Sequence, residues 1–299
     1  MESESLIEWG LEIPRDYTVA REENITKAAE LLHITQPTLS RQLMQLEEEL
    51  GTKLLKRGKH NVYLTEDGML LKKRAQDIVT LADRTEREFT ERQEEIAGEI
   101  VFGSAETMSV YELAKIIAEF QKEYPLVQYE MYTAIADDIK ERMDKGIVDI
   151  GLLTEPVDIS KYNFIRLDRK ERWGVLVRND SKLAEKEYVT PEDLANVPLL
   201  MAKREMVRNE LSNWFGGYYD NLKIAGTYNL LNNAAVMVEN GIGVALCFKI
   251  SHDYEHLSFV PFAPALETGC VLVWQKNRPL SKAATVFLDI AKKYIKGIS

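Results

Sequence analysis

The chain has 299 residues, of which 45% are hydrophobic and 29% are charged. Such proportions are typical of a folded protein with two or three domains and a large core, and they exclude a mainly disordered chain. The formal net charge of -10 argues at first against a nucleic-acid partner, because neutralising phosphates requires cations. A local basic patch is nevertheless predicted, because residues 53–59 contain several cations and no acid. Its members are Lys53, Lys56, Arg57 and Lys59.

Two cysteines, Cys247 and Cys270, are too few for a disulfide framework and are typical of a reducing compartment. The sequence shows no export signal and no apolar stretch of about 18 residues, so we predict a cytoplasmic protein without membrane contact. His252, Glu255 and His256 lack the spacing of a zinc motif, and no spacing of Ser, His and Asp indicates a triad. We therefore predict no metal, no cofactor and no catalytic residues.

The first predicted helix is short, because Gly10 and Pro14 interrupt any helix over residues 6–17. Pro14 fits its first turn, and the helix then runs to Glu23. A helix this short leaves open how firmly it supports the two helices that follow.

Residues 24–51 contain two short amphipathic helices separated by a polar turn, which is the pattern of a helix-turn-helix. The motif itself is predicted from Asn24 to Leu43. The second helix is predicted to begin near Gln36, because Thr35 can cap it and Pro37 is tolerated in a first turn. Gly51 is predicted to end it. The apolar face of the first helix consists of Ile25, Ala28, Ala29 and Leu32. The stripe of the second helix, predicted to face the first, consists of Leu39, Leu43, Leu46 and Leu50.

Polar side chains cluster at the start of the second helix, where a plain helix pair in a core, the alternative interpretation, would not need them. Gln and Arg can make paired hydrogen bonds to base edges, and Ser and Thr can bond bases or phosphates. A recognition helix enters the major groove with its N-terminal residues leading. Three glutamates, Glu47–Glu49, at the far end agree with this direction, because phosphates repel carboxylates. The predicted DNA-contacting residues of this helix are Thr35, Gln36, Pro37, Thr38, Ser40, Arg41 and Gln45.

A two-stranded wing is predicted after the recognition helix, because two short apolar runs flank a basic turn with Gly58 at its tip. Arg57 is predicted to contact a phosphate or a narrow minor groove. For Lys59 and His60 the alternative is a solvated hairpin tip.

With these motifs the sequence resembles the LysR-type transcriptional regulators, from about Val19 to the end of the chain. The resemblance implies an α+β multidomain protein with a winged helix-turn-helix, a long linker helix that dimerises, and a C-terminal two-lobed α/β effector domain like a periplasmic binding protein. The residues that carry the resemblance are Ala28, Ala29, Leu32, Gln36, Pro37, Ser40, Leu46, Glu47, Leu50, Gly51, Leu54, Arg57, Leu64, Thr65 and Gly68.

Thr65 can cap a long helix that runs from Glu66 to about Glu95. Its apolar residues follow a 4-3 heptad spacing, and so narrow an apolar seam on a long helix needs a partner helix. We therefore predict a homodimer that binds partly palindromic double-stranded DNA, with half-sites about one helical turn or a multiple apart. A homotetramer and a contact with RNA polymerase stay open. The seam consists of Leu71, Ala75, Ile78, Ala82, Thr85, Phe89 and Ile96.

Strand-like and helix-like segments alternate from Gly98 onward, which is typical of α/β units with largely parallel sheets. The second round of this alternation begins with a predicted strand from Trp173 to Val177. Two such rounds predict two lobes. By the resemblance, the chain crosses to the second lobe near Leu167 and returns near Gln275. The predicted domains are 1–64 for the winged helix-turn-helix, 65–97 for the linker helix and 98–299 for the effector domain. Lobe I is predicted at about 98–167 and 275–299, and lobe II at about 168–274.

A small-molecule effector is expected between the lobes, beyond the carboxyl ends of the strands, where helix N-termini favour anions. Lys203 and Arg204 could pair with a carboxylate, whereas Glu106 could bind an amine or hydroxyl, or pair with Arg204 across the cleft. Surface or helix-capping roles are the alternatives. The predicted effector-binding residues are Ser104, Glu106, Thr107, Thr154, Lys203 and Arg204.

The main hypothesis is a sequence-specific transcription regulator in which the effector favours one arrangement of the lobes and so changes the spacing of the DNA-reading heads. The alternative is a solute-binding protein or enzyme on a two-lobe fold, whose N-terminal part serves only as an interaction module. That alternative expects an export signal or convergent catalytic groups, and the sequence shows neither.

Overall fold

The computed structural model describes residues 25–57, 62–90, 96–250 and 254–297. The chain divides into two compact units, Met1–Gln93 and Glu94–Ser299. The linker helix therefore belongs to the first unit. No helix in the described parts of the chain is both long enough and apolar enough to cross a membrane.

Three predicted features lie outside the described residues. They are the first helix ending at Glu23, the wing tip with Gly58, Lys59 and His60, and the last turn of the linker helix near Glu95. The side chain of Arg57 also lies outside them, although its backbone is described.

The structure describes only one of the two predicted ends of the helix-turn-helix motif. Asn24, its predicted first residue, lies outside the described residues, so the motif is described only from Ile25 onward. Leu43, its predicted last residue, lies inside a helix that continues to Leu50. The predicted motif therefore ends within the second helix rather than at its end.

The first unit contains the predicted helix pair, α1 (Ile25–Leu31) and α2 (Gln36–Leu50). Helix α2 begins where the sequence predicts because the Thr38 amide donates to the Thr35 hydroxyl, at 3.4 Å. It ends at Gly51, whose φ of 68° lies in the left-handed region.

The two helices pack through a small apolar core, which confirms the predicted helix pair and corrects its extent. Leu46 is only half-buried, and Leu50 is 50% exposed, so the predicted stripe covers α1 only over its first half. The reason is length, because α1 is two turns long and ends before it can reach the C-terminal part of α2. The buried members of this core are Ile25, Ala28, Ala29, Leu39 and Leu43.

The predicted wing is present as two antiparallel strands, β1 (Leu55–Arg57) and β2 (Val62–Leu64). Its base is closed by Thr65, whose amide donates to the Leu54 carbonyl at 2.9 Å and whose hydroxyl donates to the Lys53 carbonyl at 2.6 Å. These bonds fix where the wing joins the linker helix.

The linker helix α3 (Glu66–Thr90) begins at the predicted cap, since the Gly68 amide donates to the Thr65 hydroxyl at 3.0 Å. A Cβ at Gly68 would lie 2.1 Å from the Leu54 carbonyl oxygen, so this close approach of wing and helix requires glycine. Ile78, a member of the predicted seam, is 39% exposed.

The second unit alternates strands and helices as predicted. Its first part comprises β3 (Gly98–Ser104), α4 (Val110–Glu123), β4 (Val127–Thr133), α5 (Ala136–Lys145) and β5 (Ile150–Thr154). It continues with β6 (Tyr162–Arg178), α6 (Pro191–Leu194), β7 (Pro198–Ala202), α7 (Glu205–Phe215), the 3-10 helix Gly216–Asn221, β8 (Lys223–Tyr228) and α8 (Leu231–Glu239). The last elements are β9 (Val244–Phe248), β10 (Leu257–Pro261), β11 (Glu267–Gln275) and α9 (Lys282–Ile295).

Two three-stranded parallel groups, β4-β3-β5 and β9-β7-β8, form the centres of the two lobes. Strands β6 and β11 lie between them and pair antiparallel with each other. Lobe I packs around Phe102, Phe120 and Phe287, and lobe II around Trp173 and Phe262. The α/β prediction is confirmed, with an antiparallel connection between the lobes that the sequence did not indicate.

Strand β6 carries the chain from lobe I to lobe II in one 17-residue run, whereas the sequence indicated only Trp173 to Val177. Leu167 lies within this strand, so the crossing occurs without a loop. The return comes earlier than predicted, because β11 already pairs with lobe I at Cys270 rather than near Gln275. The sequence also missed β10, which pairs with β6.

Candidate DNA-reading helix and interlobe cleft

The N-terminal half of α2 has one buried face and one exposed face. Leu39 and Leu43 lie in the small core, while Gln36, Thr38 and Arg41 are exposed. Pro37 and Gln45 are also exposed, and Ser40 is half-buried. The exposed side chains are those that an α-helix in a major groove would present to base edges.

Local hydrogen bonds order several of these polar side chains. Gln36 donates to the Ser40 hydroxyl at 2.8 Å, and Gln45 donates to the Glu49 carboxylate at 3.0 Å. Arg41 makes no hydrogen bond or ion pair within the described residues. Its five N–H donors are therefore available to a partner.

Glu47 has a structural role that the sequence did not indicate. Its carboxylate accepts from the Leu54 amide at 2.9 Å, from the Leu55 amide at 3.2 Å and from Lys53 Nζ at 2.6 Å. Burial acts to raise the pKa of Glu47, but these hydrogen bonds outweigh it and lower the pKa. Glu47 thus fastens α2 to the wing, and of the predicted basic patch Lys53 is already paired with it.

Five of the six predicted effector residues line cavities between or beside the lobes. A cavity of about 90 Å³ is lined by Glu106, Thr154 and Arg204 together with aromatic side chains of lobe II. A neighbouring cavity of about 360 Å³ is lined by Ser104, Glu106 and Thr107. Lys203 lines neither, because its side chain is exposed.

Arg204 extends from lobe II into lobe I and is only 7% exposed. It donates to the carbonyls of Thr154 at 3.3 Å and Pro156 at 2.8 Å. Its Nε lies 3.7 Å from the Asp137 carboxylate and has no hydrogen-bond acceptor. Burial lowers the pKa of Arg204, while the charges of Asp137 and Glu210 oppose that effect.

Glu106 bridges the lobes in the opposite direction, from the loop after β3 to the first residue of α8. Its carboxylate accepts from the Leu231 amide at 2.5 Å, a favourable place for a negative charge because helix N-termini carry partial positive charge. The sequence analysis considered an ion pair between Glu106 and Arg204. This pair does not form in the structure, since the carboxylate beside Arg204 Nε is that of Asp137. The two bridges enclose the smaller cavity from both lobes.

Glu171 is a structural residue of the effector unit that the sequence analysis missed. It lies in β6, is 1% exposed, and accepts from the amides of Met108 and Ser109 and from the Ser109 hydroxyl. It therefore fills the N-terminus of α4, where the sequence predicted an anion site from Ser104 and Thr107. The sequence gives no signal for this role, because Glu171 stands among charged residues that are typical of a solvated edge.

No cluster of His, Cys, Asp and Glu in the described residues has the geometry of a metal site. His252 lies outside those residues, so the rejected zinc motif is not tested by the structure. The cavities are lined by side chains suited to binding an organic molecule.

A helix-turn-helix with an exposed polar reading face, joined by a long helix to a two-lobed α/β unit with a cavity between its lobes, defines a DNA-binding regulator that responds to a small molecule. The chain belongs to the LysR family of these regulators. Residues 17–69 match the family described as bacterial regulatory helix-turn-helix protein, lysR family, and residues 93–296 match the LysR substrate binding domain.

Relatives and solved structures agree with this assignment. The chain is 25% identical over 292 residues to the HTH-type transcriptional regulator YvbU of Bacillus subtilis, covering 92% of this chain and 94% of that protein. It is 28% identical over 291 residues to YybE of the same species, covering 93% and 94%. The fold matches that of full-length CbnR complexed with its target DNA, with a TM-score of 0.71, 18% identity, and coverage of 95% and 100%.

These findings confirm the winged helix-turn-helix, the two-lobed effector domain and the function of a transcription regulator. The alternative of a solute-binding protein or enzyme is not favoured, because the relatives and the fold are those of transcriptional regulators.

Proposed function

We propose that this LysR-type regulator reads a partly palindromic operator as a homodimer through the exposed face of α2. The observation that carries the proposal is Arg41, which is exposed, makes no hydrogen bond or ion pair within the described residues and stands opposite the buried Leu39. A side chain fixed at its base and free at its end is suited to paired hydrogen bonds with guanine. Thr35, Gln36, Pro37, Thr38, Ser40 and Gln45 complete the proposed reading face, with Arg57 on the wing.

The proposed homodimer is supported by apolar exposure on α3. Leu70 and Ile78, which lie on the same side of the helix, are 55% and 39% exposed in the single chain. A partner helix would cover such side chains, and two heads would then face one duplex. Sedimentation velocity distinguishes this dimer from a tetramer. We place the regulator in the cytoplasm, where it has access to DNA.

The effector is proposed to occupy the interlobe cavity, where Glu106, Thr154 and Arg204 meet. Ser104 and Thr107 face the neighbouring cavity and support the same loop after β3. Because both bridges cross between the lobes, a ligand that binds either side chain changes the balance between lobe arrangements.

The experiment that tests DNA reading begins with genomic fragments selected by the purified full chain. Against the selected operator, Arg41→Ala should lose about 1–3 kcal/mol of binding free energy, while binding to random DNA changes little. Arg41→Lys is the matched control, because lysine keeps the charge but cannot make the bidentate contact. If Arg41→Lys binds the operator as well as the wild type, Arg41 contacts a phosphate, and base reading by this residue is refuted.

A further inference from the structure

The smaller interlobe cavity is lined by two charged side chains of opposite sign, one from each lobe. Glu106 comes from lobe I and Arg204 from lobe II. Neither is paired with the other, and each lines the cavity while holding the opposite lobe. The chemical groups that a ligand needs in this cavity follow from the hydrogen-bond and charge partners that each of the two side chains still lacks.

Arg204 lacks an anionic partner at hydrogen-bond distance. Its recorded acceptors are two neutral carbonyls and the sulfur of Met206, and its buried Nε–H has no acceptor. The carboxylate of Asp137 stands 3.7 Å away and is 59% exposed, so water weakens its attraction. A buried guanidinium with an unused donor favours a ligand carboxylate, which can accept two N–H bonds.

Glu106, in contrast, favours a cationic group of the ligand. One of its oxygens accepts from the Leu231 amide, and within the described residues the other has no recorded hydrogen bond. A ligand with a carboxylate alone would meet the negative charge of Glu106 across a small cavity and be repelled. A ligand that also carries an ammonium group would satisfy both side chains.

The size and walls of the cavity limit the rest of the ligand. The volume of about 90 Å³ is room for a small molecule, since a single water needs about 10–15 Å³ of such space. The walls between the charged groups include Trp173, Val207 and Phe248, which are apolar or aromatic. A short aliphatic group fits such a wall, and a second charged group does not.

We propose that the effector is a small zwitterionic amino acid, with its carboxylate on Arg204 and its ammonium group on Glu106. This inference rests on the proposal that the interlobe cavity is the effector site. Because Glu106 can accept the ammonium group on its other oxygen while Oε2 keeps the Leu231 amide, binding adds a ligand contact to each of the two interlobe bridges. The ligand thereby acts on the arrangement of the lobes through the same two side chains that hold it.

The test uses three compounds of similar size with the full-length protein: L-alanine, propionate and ethylamine. Propionate lacks the ammonium group of L-alanine, and ethylamine lacks its carboxylate. Isothermal titration at neutral pH should show L-alanine binding at least about tenfold more tightly than either, since one lost charged contact is worth about 1.4 kcal/mol or more. Equal or tighter binding of propionate or ethylamine, or no binding of any compound at about 10 mM, would overturn the proposal.

Two substitutions sharpen the result. Glu106→Gln keeps an oxygen that can accept from the Leu231 amide but removes the charge, so propionate should then bind at least as well as L-alanine. Arg204→Gln should lose the binding of both carboxylates. The matched controls are Glu130→Gln on β4 and Arg208→Gln on α7, because both side chains are exposed and line neither cavity.

Binding of the selected operator by the same preparations separates the two proposals. Operator binding without a preference for L-alanine refutes the amino-acid effector and leaves the DNA-reading function standing. Loss of the preference in Glu130→Gln as well would show that charge near the cavity, rather than contact with Glu106, determines selectivity, and would equally refute the inference.

Discussion

The DNA-reading helix and the interlobe cleft place their functional side chains in opposite situations. On α2, Arg41 is exposed and makes no hydrogen bond or ion pair within the described residues, while Leu39 on the opposite face is part of the core. In the cleft, Glu106 and Arg204 are partly or fully buried and already hold other elements by hydrogen bonds. The helix thus assigns function and stability to different residues, whereas the cleft assigns both to the same ones.

The largest expected effect on stability is at Glu171. Glu171→Ala leaves the amides of Met108 and Ser109 and the Ser109 hydroxyl without their acceptor in a buried place. We expect the free energy of unfolding of the effector unit to fall by about 3–5 kcal/mol, because buried donors that lose their partner keep the full desolvation cost. Urea denaturation followed by tryptophan fluorescence measures this, since Trp173, Trp214 and Trp274 lie in that unit.

Glu119→Ala on the surface of α4 is the matched control for Glu171. Among the residues that the structure describes, Glu119 forms an ion pair with Lys122 alone, and both side chains are more than half exposed. Its replacement should change the free energy of unfolding by no more than about 0.5 kcal/mol. A loss below about 1 kcal/mol for Glu171→Ala would show that other groups or water replace the carboxylate at the start of α4.

The next largest effect is expected on the buried face of α2. Leu39 is fully buried in the core between the two helices. Leu39→Ala should reduce the stability of the helix pair by about 2–4 kcal/mol, because removing most of a fully buried leucine leaves a cavity that its surroundings close only in part. Hydrogen–deuterium exchange of peptides from residues 25–50 measures this local stability. Leu50→Ala, at a position 50% exposed, should leave the exchange nearly unchanged. Equal effects of Leu39→Ala and Leu50→Ala would contradict the finding that only the first half of the leucine stripe packs against α1.

A smaller, pH-dependent effect is expected at Glu47, whose side chain is 9% exposed. Burial acts to raise its pKa, but bonds from Lys53, Leu54 and Leu55 lower it overall, so the folded pKa lies below that of the unfolded chain. The carboxylate therefore stabilises the fold above the unfolded value of about 4.3, and this contribution is lost as the pH falls through the lowered folded pKa. Glu47→Gln should cost about 1 kcal/mol at pH 7 and less at pH 3.

Exchange measurements of the α2 and β1 peptides at the two pH values, corrected for the intrinsic exchange rate, check the Glu47 prediction. Glu48→Gln is the control, because Glu48 is exposed one residue further along α2. A cost of Glu47→Gln that stays the same at pH 3 would mean that shape rather than charge holds the wing.

The same contrast explains how much of the molecule could be predicted from the sequence. Helix α2 was predicted from its start to its end because its signals are local, with Thr35 and Pro37 at one terminus and Gly51 at the other. Arg204 was correctly placed in the cleft because it follows a buried strand, β7. Its acceptors at Thr154 and Pro156 were not predicted, since they are about fifty residues away in the other lobe.

Strand β6 shows what local patterns miss. Its middle consists of charged residues, so only the apolar end from Trp173 to Val177 was recognised as a strand. The charged middle is a strand because β11 pairs with it, a constraint set by residues about one hundred positions later. Glu171 lies in that part, and only its tertiary position turns an apparent surface charge into the cap of α4.

The smallest expected effect on stability is at Arg41, the residue on which the proposed DNA reading depends. Arg41→Ala should change the local stability of α2 by less than about 0.5 kcal/mol, because the side chain is exposed, makes no hydrogen bond or ion pair within the described residues, and alanine is at least as good a helix former. The exchange experiment used for Leu39→Ala measures it two residues away on the opposite face. A loss of more than about 1 kcal/mol would give Arg41 a structural role, and weaker operator binding by Arg41→Ala would then follow from a loosened helix rather than from a lost base contact.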